Sequence, residues 1–301
     1  MSKRLLLGIV IVLVITNIAT FIYWNKSENT IIDSKESGPV INKKKPVASV
    51  NGKDIFYEDW MRHLRLNNGE SQLKSMIDQE LVRQLAKERE LEISEKMIQK
   101  EISMLTAAQG IMSKEESKRA EKLWREKLIY RYQLQLLLTE DVKIPEDQLQ
   151  RYYEEYGDQY NFSASMQLSH IIVEDLSTAK KVIRDLEADA DFDLLAREYS
   201  LDEETRNKGG YLGYIYTNSQ FFPEGYEEIA LQMDDHSYSK PFSTDEGVAI
   251  IFLHRHLPEI TFTYEEIKKY MKSEIAMLET NQTLTADPLW KEAEVQWLYE
   301  E

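Results

Sequence analysis

Cysteine is absent from all 301 residues of the chain. Disulfides are therefore excluded, as is lipid attachment through a cysteine, and the absence suits a protein exported without oxidative folding. Positive charge is in short supply. Lysine and arginine number 37 against 53 aspartates and glutamates, for a net charge of −16. Phosphate binding needs cationic surface, so this balance argues against a nucleic-acid partner. Long uncharged stretches are scarce too, and the one that stands out is residues 5–24, which carry no formal charge. A helix of about 20 residues matches the hydrocarbon core of a bilayer. Lys3 and Arg4 ahead of it place the amino terminus in the cytoplasm, and Tyr23 and Trp24 fit the outer interface. A cleaved secretory signal shares this layout, but the length of the run and the lack of a small-x-small cleavage site favour a retained signal-anchor.

Hydrophobic residues make up 42% and charged residues 30% of the chain. That suits an ordinary globular body, long enough for two domains or for one inserted in another. Residues 25–45 are polar and read as a linker, with Lys43, Lys44 and Lys45 as a solvated charge run. Residues 47–55 read as strand, Asn51-Gly52 turn and strand. Residues 57–65 read as a helix, and Leu73, Ile77, Leu81 and Leu85 mark another by their four-residue spacing. Ser94 is a suitable N-cap for a helix with Ile98, Ile102 and Leu105 on one face. A polar connection at 106–117 leads to a long helix over about 116–138, and Pro145 fits the first turn of a further one. From Gln167 the period changes. Strands are expected at 167–173, 211–216 and 248–254, and helices at 177–186, after Asp191, and at 223–231. After Pro258 the helical period returns, at 264–280 and 288–299.

Five short motifs lie in order in the mixed region. They are Ser169-His170-Ile171-Ile172, the run Ala196 to Asp202, Gly209-Gly210-Tyr211-Leu212-Gly213, Phe222-Pro223-Glu224-Gly225-Tyr226, and Pro241-Phe242-Ser243-Thr244 leading into Gly247-Val248-Ala249-Ile250-Ile251. None is distinctive alone. Their order and spacing resemble the parvulin family of peptidyl-prolyl cis-trans isomerases over residues 164–257, and the flanks resemble the extracytoplasmic PrsA-type and SurA-type foldases. The resemblance implies an α+β fold. A parvulin-like β-α-α-β-α-β-β domain at 164–257 would be inserted in a helical chaperone domain made of 46–163 and 258–301, after a cytoplasmic stub and transmembrane helix at 1–24 and a linker at 25–45. PrsA-type proteins are lipoproteins that need a cysteine after the signal, and this chain departs from that pattern.

Rotation about a peptide bond must break amide resonance against a barrier of about 18–20 kcal/mol. An enzyme for this needs an apolar slot for the proline ring and a polar wall matched to the twisted amide. No cofactor and no metal are expected. The resemblance assigns His170, Asp202 and Thr244 to the catalytic group and Leu212, Phe222 and Tyr226 to the slot, where the family commonly has Met and Phe at the last two positions. The loop from Asp202 to Gly209 is one residue longer than usual, which leaves Glu203 as the alternative to Asp202. The family's second histidine is replaced by Ala249, so the paired-histidine arrangement cannot form. Weak turnover is expected in consequence, and Ala249→His is expected to raise it. His254 and His256 read as structural or surface histidines rather than metal ligands. The implied function is isomerisation of X-Pro bonds in exported polypeptides, outside the cytoplasmic membrane of a Gram-positive type cell. The alternative is a parvulin-like chaperone or scaffold with little or no catalysis. The expected partners are unfolded or exported polypeptides, the membrane through residues 5–24, and a second copy in a homodimer.

Overall fold

The computed structural model describes Ile31–Ile32 and residues 41–299. The expected membrane segment at 5–24 lies outside the described residues. Among the described residues, no helix is long and apolar enough to cross a membrane. The chain divides into two units, Met1–Ile77 with Gln296–Glu301, and Asp78–Val295.

In the first unit, β1 (Ile31–Ile32) pairs antiparallel with β2 (Ile41–Asn42). Strands β3 (Ala48–Val50) and β4 (Lys53–Ile55) form the expected hairpin. Asn51 and Gly52 turn it with φ of 51° and 80°, the two left-handed positions of a type I′ turn. Helix α1 (Tyr57–Glu88) begins here and runs unbroken for 32 residues, those from Asp78 on belonging to the second unit. The expectation was of two helices here, one over 57–65 and one through Leu73, Ile77, Leu81 and Leu85. A glycine inside a helix costs only about 1 kcal/mol, and Gly69 has a packing reason: a Cβ there would lie 2.9 Å from the Tyr299 hydroxyl.

In the second unit, α2 (Glu95–Ala107), α3 (Lys114–Thr139), α4 (Glu146–Tyr156) and α8 (Tyr264–Glu279) share one core. Met97, Ile98, Ile102, Leu128, Tyr132 and Leu149 meet Ile267, Tyr270, Met271 and Ile275 of α8, which lies after the sheet in sequence. Capping boxes start α3 at Ser113 and Glu116 and α8 at Thr263 and Glu266. Ser94 stands before α2 as expected but makes no side-chain cap. Its N–H donates to the Tyr270 hydroxyl at 2.8 Å instead. The helix expected at 288–299 is only a 3-10 turn, Asp287–Glu292. That turn seats Leu289 against Leu81, Leu85, Leu134 and Leu137. Helix nucleation is costly, and a single turn held by such contacts need not propagate.

The sheet consists of β5 (Ser165–Val173), β6 (Tyr211–Tyr216), β7 (Ser237–Tyr238), β8 (Phe242–Thr244) and β9 (Gly247–Leu257). It is antiparallel, in the order β6-β5-β9-β7, with β8 also paired to β9. The central strand β5 is buried at every residue. Its alternate side chains serve two cores, as the two-residue period of a strand requires. Ile171 and Val173 pack with Val182, Leu186 and Leu195 under α5 (Leu176–Glu187) and α6 (Phe192–Tyr199). Met166, Leu168 and Ile172 pack with Tyr226 and Ala230 of α7 (Tyr226–Ala230) and with Ala249, Ile251 and Leu253 of β9. The short strand β7 was not expected, and α7 begins only after the turn at Pro223-Glu224-Gly225.

Two register shifts shape the sheet. Between β5 and β6 the pairing jumps from Leu168↔Gly213 to Ser169↔Tyr211, and Leu212 is the residue skipped. Between β5 and β9 it jumps from Gln167↔Arg255 to Leu168↔Leu253, and His254 is skipped. Bulges of this kind bend the strand and re-aim the extra side chain.

Candidate active site

His170 lies in the middle of β5, 5% exposed. Its N–H donates to the Gly210 carbonyl at 2.9 Å. Gly210 must be glycine here: its φ is +73°, and a Cβ would come within 2.0 Å of the His170 carbonyl oxygen. The close approach brings the loop between α6 and β6 directly over the imidazole.

That loop supplies a carboxylate and a hydroxyl. Leu201 N–H donates to the Ile172 carbonyl at 2.7 Å, and Ser200 Oγ accepts from the backbone N–H of Ile172 and of Asp202, each at 3.3 Å. The loop is thereby tied to β5. Asp202 Oδ1 accepts from the Glu204 N–H at 3.0 Å, the short-range turn that Asp side chains favour. Its Oδ2 stands 2.7 Å from His170 Nε2 and also accepts from the Thr205 hydroxyl. Thr205 Oγ1 is 3.1 Å from the same ring nitrogen. Burial pushes the Asp202 carboxyl upward, but the hydrogen bonds from Thr205 and His170 overcome it and hold it below the usual carboxylate range. Asp202, not Glu203, is the carboxylate at His170, and Glu203 is exposed.

The other ring nitrogen, Nδ1, meets the Tyr226 hydroxyl at 2.8 Å. Tyr226 is 2% exposed, so only a small part of its ring could meet a ligand. Around it the half-buried side chains of Leu212, Phe222, Ile229, Met233 and Phe242 pack against the core shared by Tyr226 and Ala249. The Phe242 ring meets Tyr226 edge-on at 5.4 Å. A polar group of His170, Asp202 and Thr205 thus adjoins an apolar group of Leu212, Phe222 and Phe242, with Tyr226 belonging to both.

Thr244 is not part of the hydrogen-bonded group, since its hydroxyl donates to the Gly247 carbonyl at 3.1 Å across the turn between β8 and β9. Thr205 and Phe242 were missed in the sequence. The register Phe242↔Ala249 places Phe242 beside the site, and the turn built on Asp202 places Thr205. His254 is engaged elsewhere, 2.8 Å from Ser169 Oγ.

Comparison with known proteins gives this geometry a family. The model of the PPIC-type PPIASE domain, or rotamase, matches residues 174–255, which span α5 to β9 and begin just after His170. YacD of Bacillus subtilis (strain 168) is 32% identical over 256 residues, covering 85% of this chain and 86% of that one. The foldase protein PrsA of Oceanobacillus iheyensis is 30% identical over 246 residues, covering 79% of this chain and 77% of that one. The crystal structure of PrsA from Bacillus subtilis matches at 22% identity over 86% of this chain and 96% of that one, with a TM-score of 0.33, too low for the two folds to be equated. The chain belongs to the PpiC-type, or parvulin, family of peptidyl-prolyl cis-trans isomerases.

Proposed function

We propose that this chain is a foldase that speeds cis-trans isomerisation of X-Pro bonds in exported polypeptides, outside the cytoplasmic membrane. The observation that carries the reading is the adjacency of the His170, Asp202 and Thr205 group to the half-buried Leu212, Phe222 and Phe242. The proline ring packs on the apolar side chains, and the amide twists against the polar ones. The two ground states of an X-Pro bond are close in energy but exchange slowly. Catalysis here is tighter binding of the twisted amide than of either planar form, with dipoles already oriented and no bond to the peptide made or broken.

Residues 5–24 form a signal-anchor in this reading, with Lys3 and Arg4 inside the cell and the remainder of the chain outside. The helical part is one domain interrupted by the isomerase domain at 164–257. What supports that division is the core that α8 shares with α2, α3 and α4. Exchange spectroscopy on an X-Pro peptide tests the function: added protein should raise the rate of exchange between cis and trans signals. Peptide binding without any acceleration would instead favour a binding module.

A further inference from the structure

We infer that Tyr226 is a positioning residue that fixes the orientation of the His170 ring by donating to its Nδ1, and that position 249 is alanine because the Tyr226 ring needs the space. The inference deepens the isomerase reading and rests on it for the kinetic part alone.

The hydrogen-bonding inventory fixes the protons. An ionised carboxylate only accepts, so with Asp202 Oδ2 at 2.7 Å the His170 Nε2 carries a proton. In the neutral ring Nδ1 is then a bare acceptor. Its partner is the Tyr226 hydroxyl at 2.8 Å, and a phenol can donate. Both residues are nearly sealed, at 5% and 2% exposed. Burial, with the negative charges of Glu246 and Asp202 behind it, pushes the Tyr226 phenol well above its ordinary range, so the phenol keeps its proton. Without that hydroxyl, Nδ1 would be a buried acceptor with no donor.

Space explains the rest. The register sets Ile172 opposite Ala249 and His170 opposite Ile251, so Ala249 is the diagonal neighbour of His170 on the face that carries Tyr226. Ala249 is fully buried in the same cluster as Tyr226, and Phe242, its partner across β8, closes on the Tyr226 ring edge. An imidazole projecting from 249 would enter a filled layer. The family's phenylalanine and second histidine are thus replaced together, with the polar atom now coming from 226 instead of 249. This reverses the expectation from sequence that Ala249→His alone raises turnover.

The test is long-range proton–nitrogen correlation on the full chain with labelled histidine, beside isomerisation kinetics. Recorded where the ring is neutral, the wild-type spectrum should show His170 with Nε2 protonated and Nδ1 bare. The opposite tautomer overturns the inference whatever the activity. Tyr226→Phe should shift the His170 Nδ1 resonance by removing its donor and lower kcat about tenfold, the rate equivalent of one ordinary hydrogen bond, with KM changed less. A Tyr226→Phe protein that melts lower but keeps the wild-type ring signature and kcat also overturns it. Ala249→His should lower the melting temperature and not raise kcat/KM, and adding Tyr226→Phe to it should restore most of the rate. Should Tyr226→Phe not fold, the wild-type spectrum and Ala249→His still decide, and a rise in kcat/KM from Ala249→His counts against the inference. Absence of isomerase activity in the wild type would remove the proposed function but leave the tautomer result standing.

Discussion

Asp202 uses both carboxylate oxygens inside its own loop and on β5, accepting from Glu204, Thr205 and His170. Asp202→Asn keeps the shape but replaces one acceptor oxygen with an NH2 donor. Unfolding in urea at pH 7 should show it less stable by about 1.5–3 kcal/mol, the range for hydrogen bonds to a charged group. The sign with pH follows from the depressed carboxyl. The unfolded state takes up the proton first, so the difference between wild type and variant is fully present above 3.8 and shrinks as pH falls below it. Identical midpoints at pH 7 would contradict this. At this scale His170, Asp202, Leu212 and Phe222 were legible, because short motifs carry them. The hydrogen bond from Tyr226 to His170 was not, since the two residues are 56 apart in sequence and meet only when α7 docks on the sheet.

Two bulges give the elements their functional orientation. One presents Leu212 beside the site, and the other turns His254 toward Ser169 on the side of the sheet that carries α5 and α6. The His254 ring packs on Phe252 at 4.7 Å and Tyr211 at 5.9 Å. Burial, aided by nearby His236, lowers its pKa from 6.5 to about 4. The unfolded chain therefore binds this proton first as pH falls. Stability from a neutral His254 is whole above 6.5 and is lost progressively toward pH 4. The loss amounts to about 3 kcal/mol at most. His254→Gln, which can still bond Ser169 but does not titrate, should flatten the fall in urea midpoint between pH 7 and pH 5. A slope unchanged by the substitution would refute it. Strand β6 was legible to the residue, and α5 and α6 nearly so, because alternation and amphipathic spacing are local. The bulges and β7 were not, because register is decided between strands rather than along one. The unbroken α1 was not legible because residues 67–72 carry no apolar residue to continue the helical spacing.

At the scale of the whole molecule, the second unit joins helices from both sides of the sheet segment in one core, with Ile267, Tyr270 and Met271 meeting Met97, Ile98 and Leu128. Tyr132 and Tyr270 stack edge to face at 5.2 Å within it. The return of helical spacing after Pro258 made α8 legible, but its partners could be named only through the family resemblance, because long-range packing leaves no local period. For the anchor, protease added to intact protoplasts should remove the body and leave a short membrane-held stump, and a body protected until lysis would contradict that topology. The central claim is that His170, Asp202 and the apolar residues beside them form a working X-Pro isomerase site. The most direct measurement is the exchange rate of one X-Pro peptide with full-length wild type and with Phe222→Ala at equal concentration. The account predicts clear acceleration by the wild type and a lower kcat/KM after removal of the ring, since burying a phenylalanine is worth about 1.5–3 kcal/mol. Equal rates for the two proteins, or none above the uncatalysed rate for either, would contradict it.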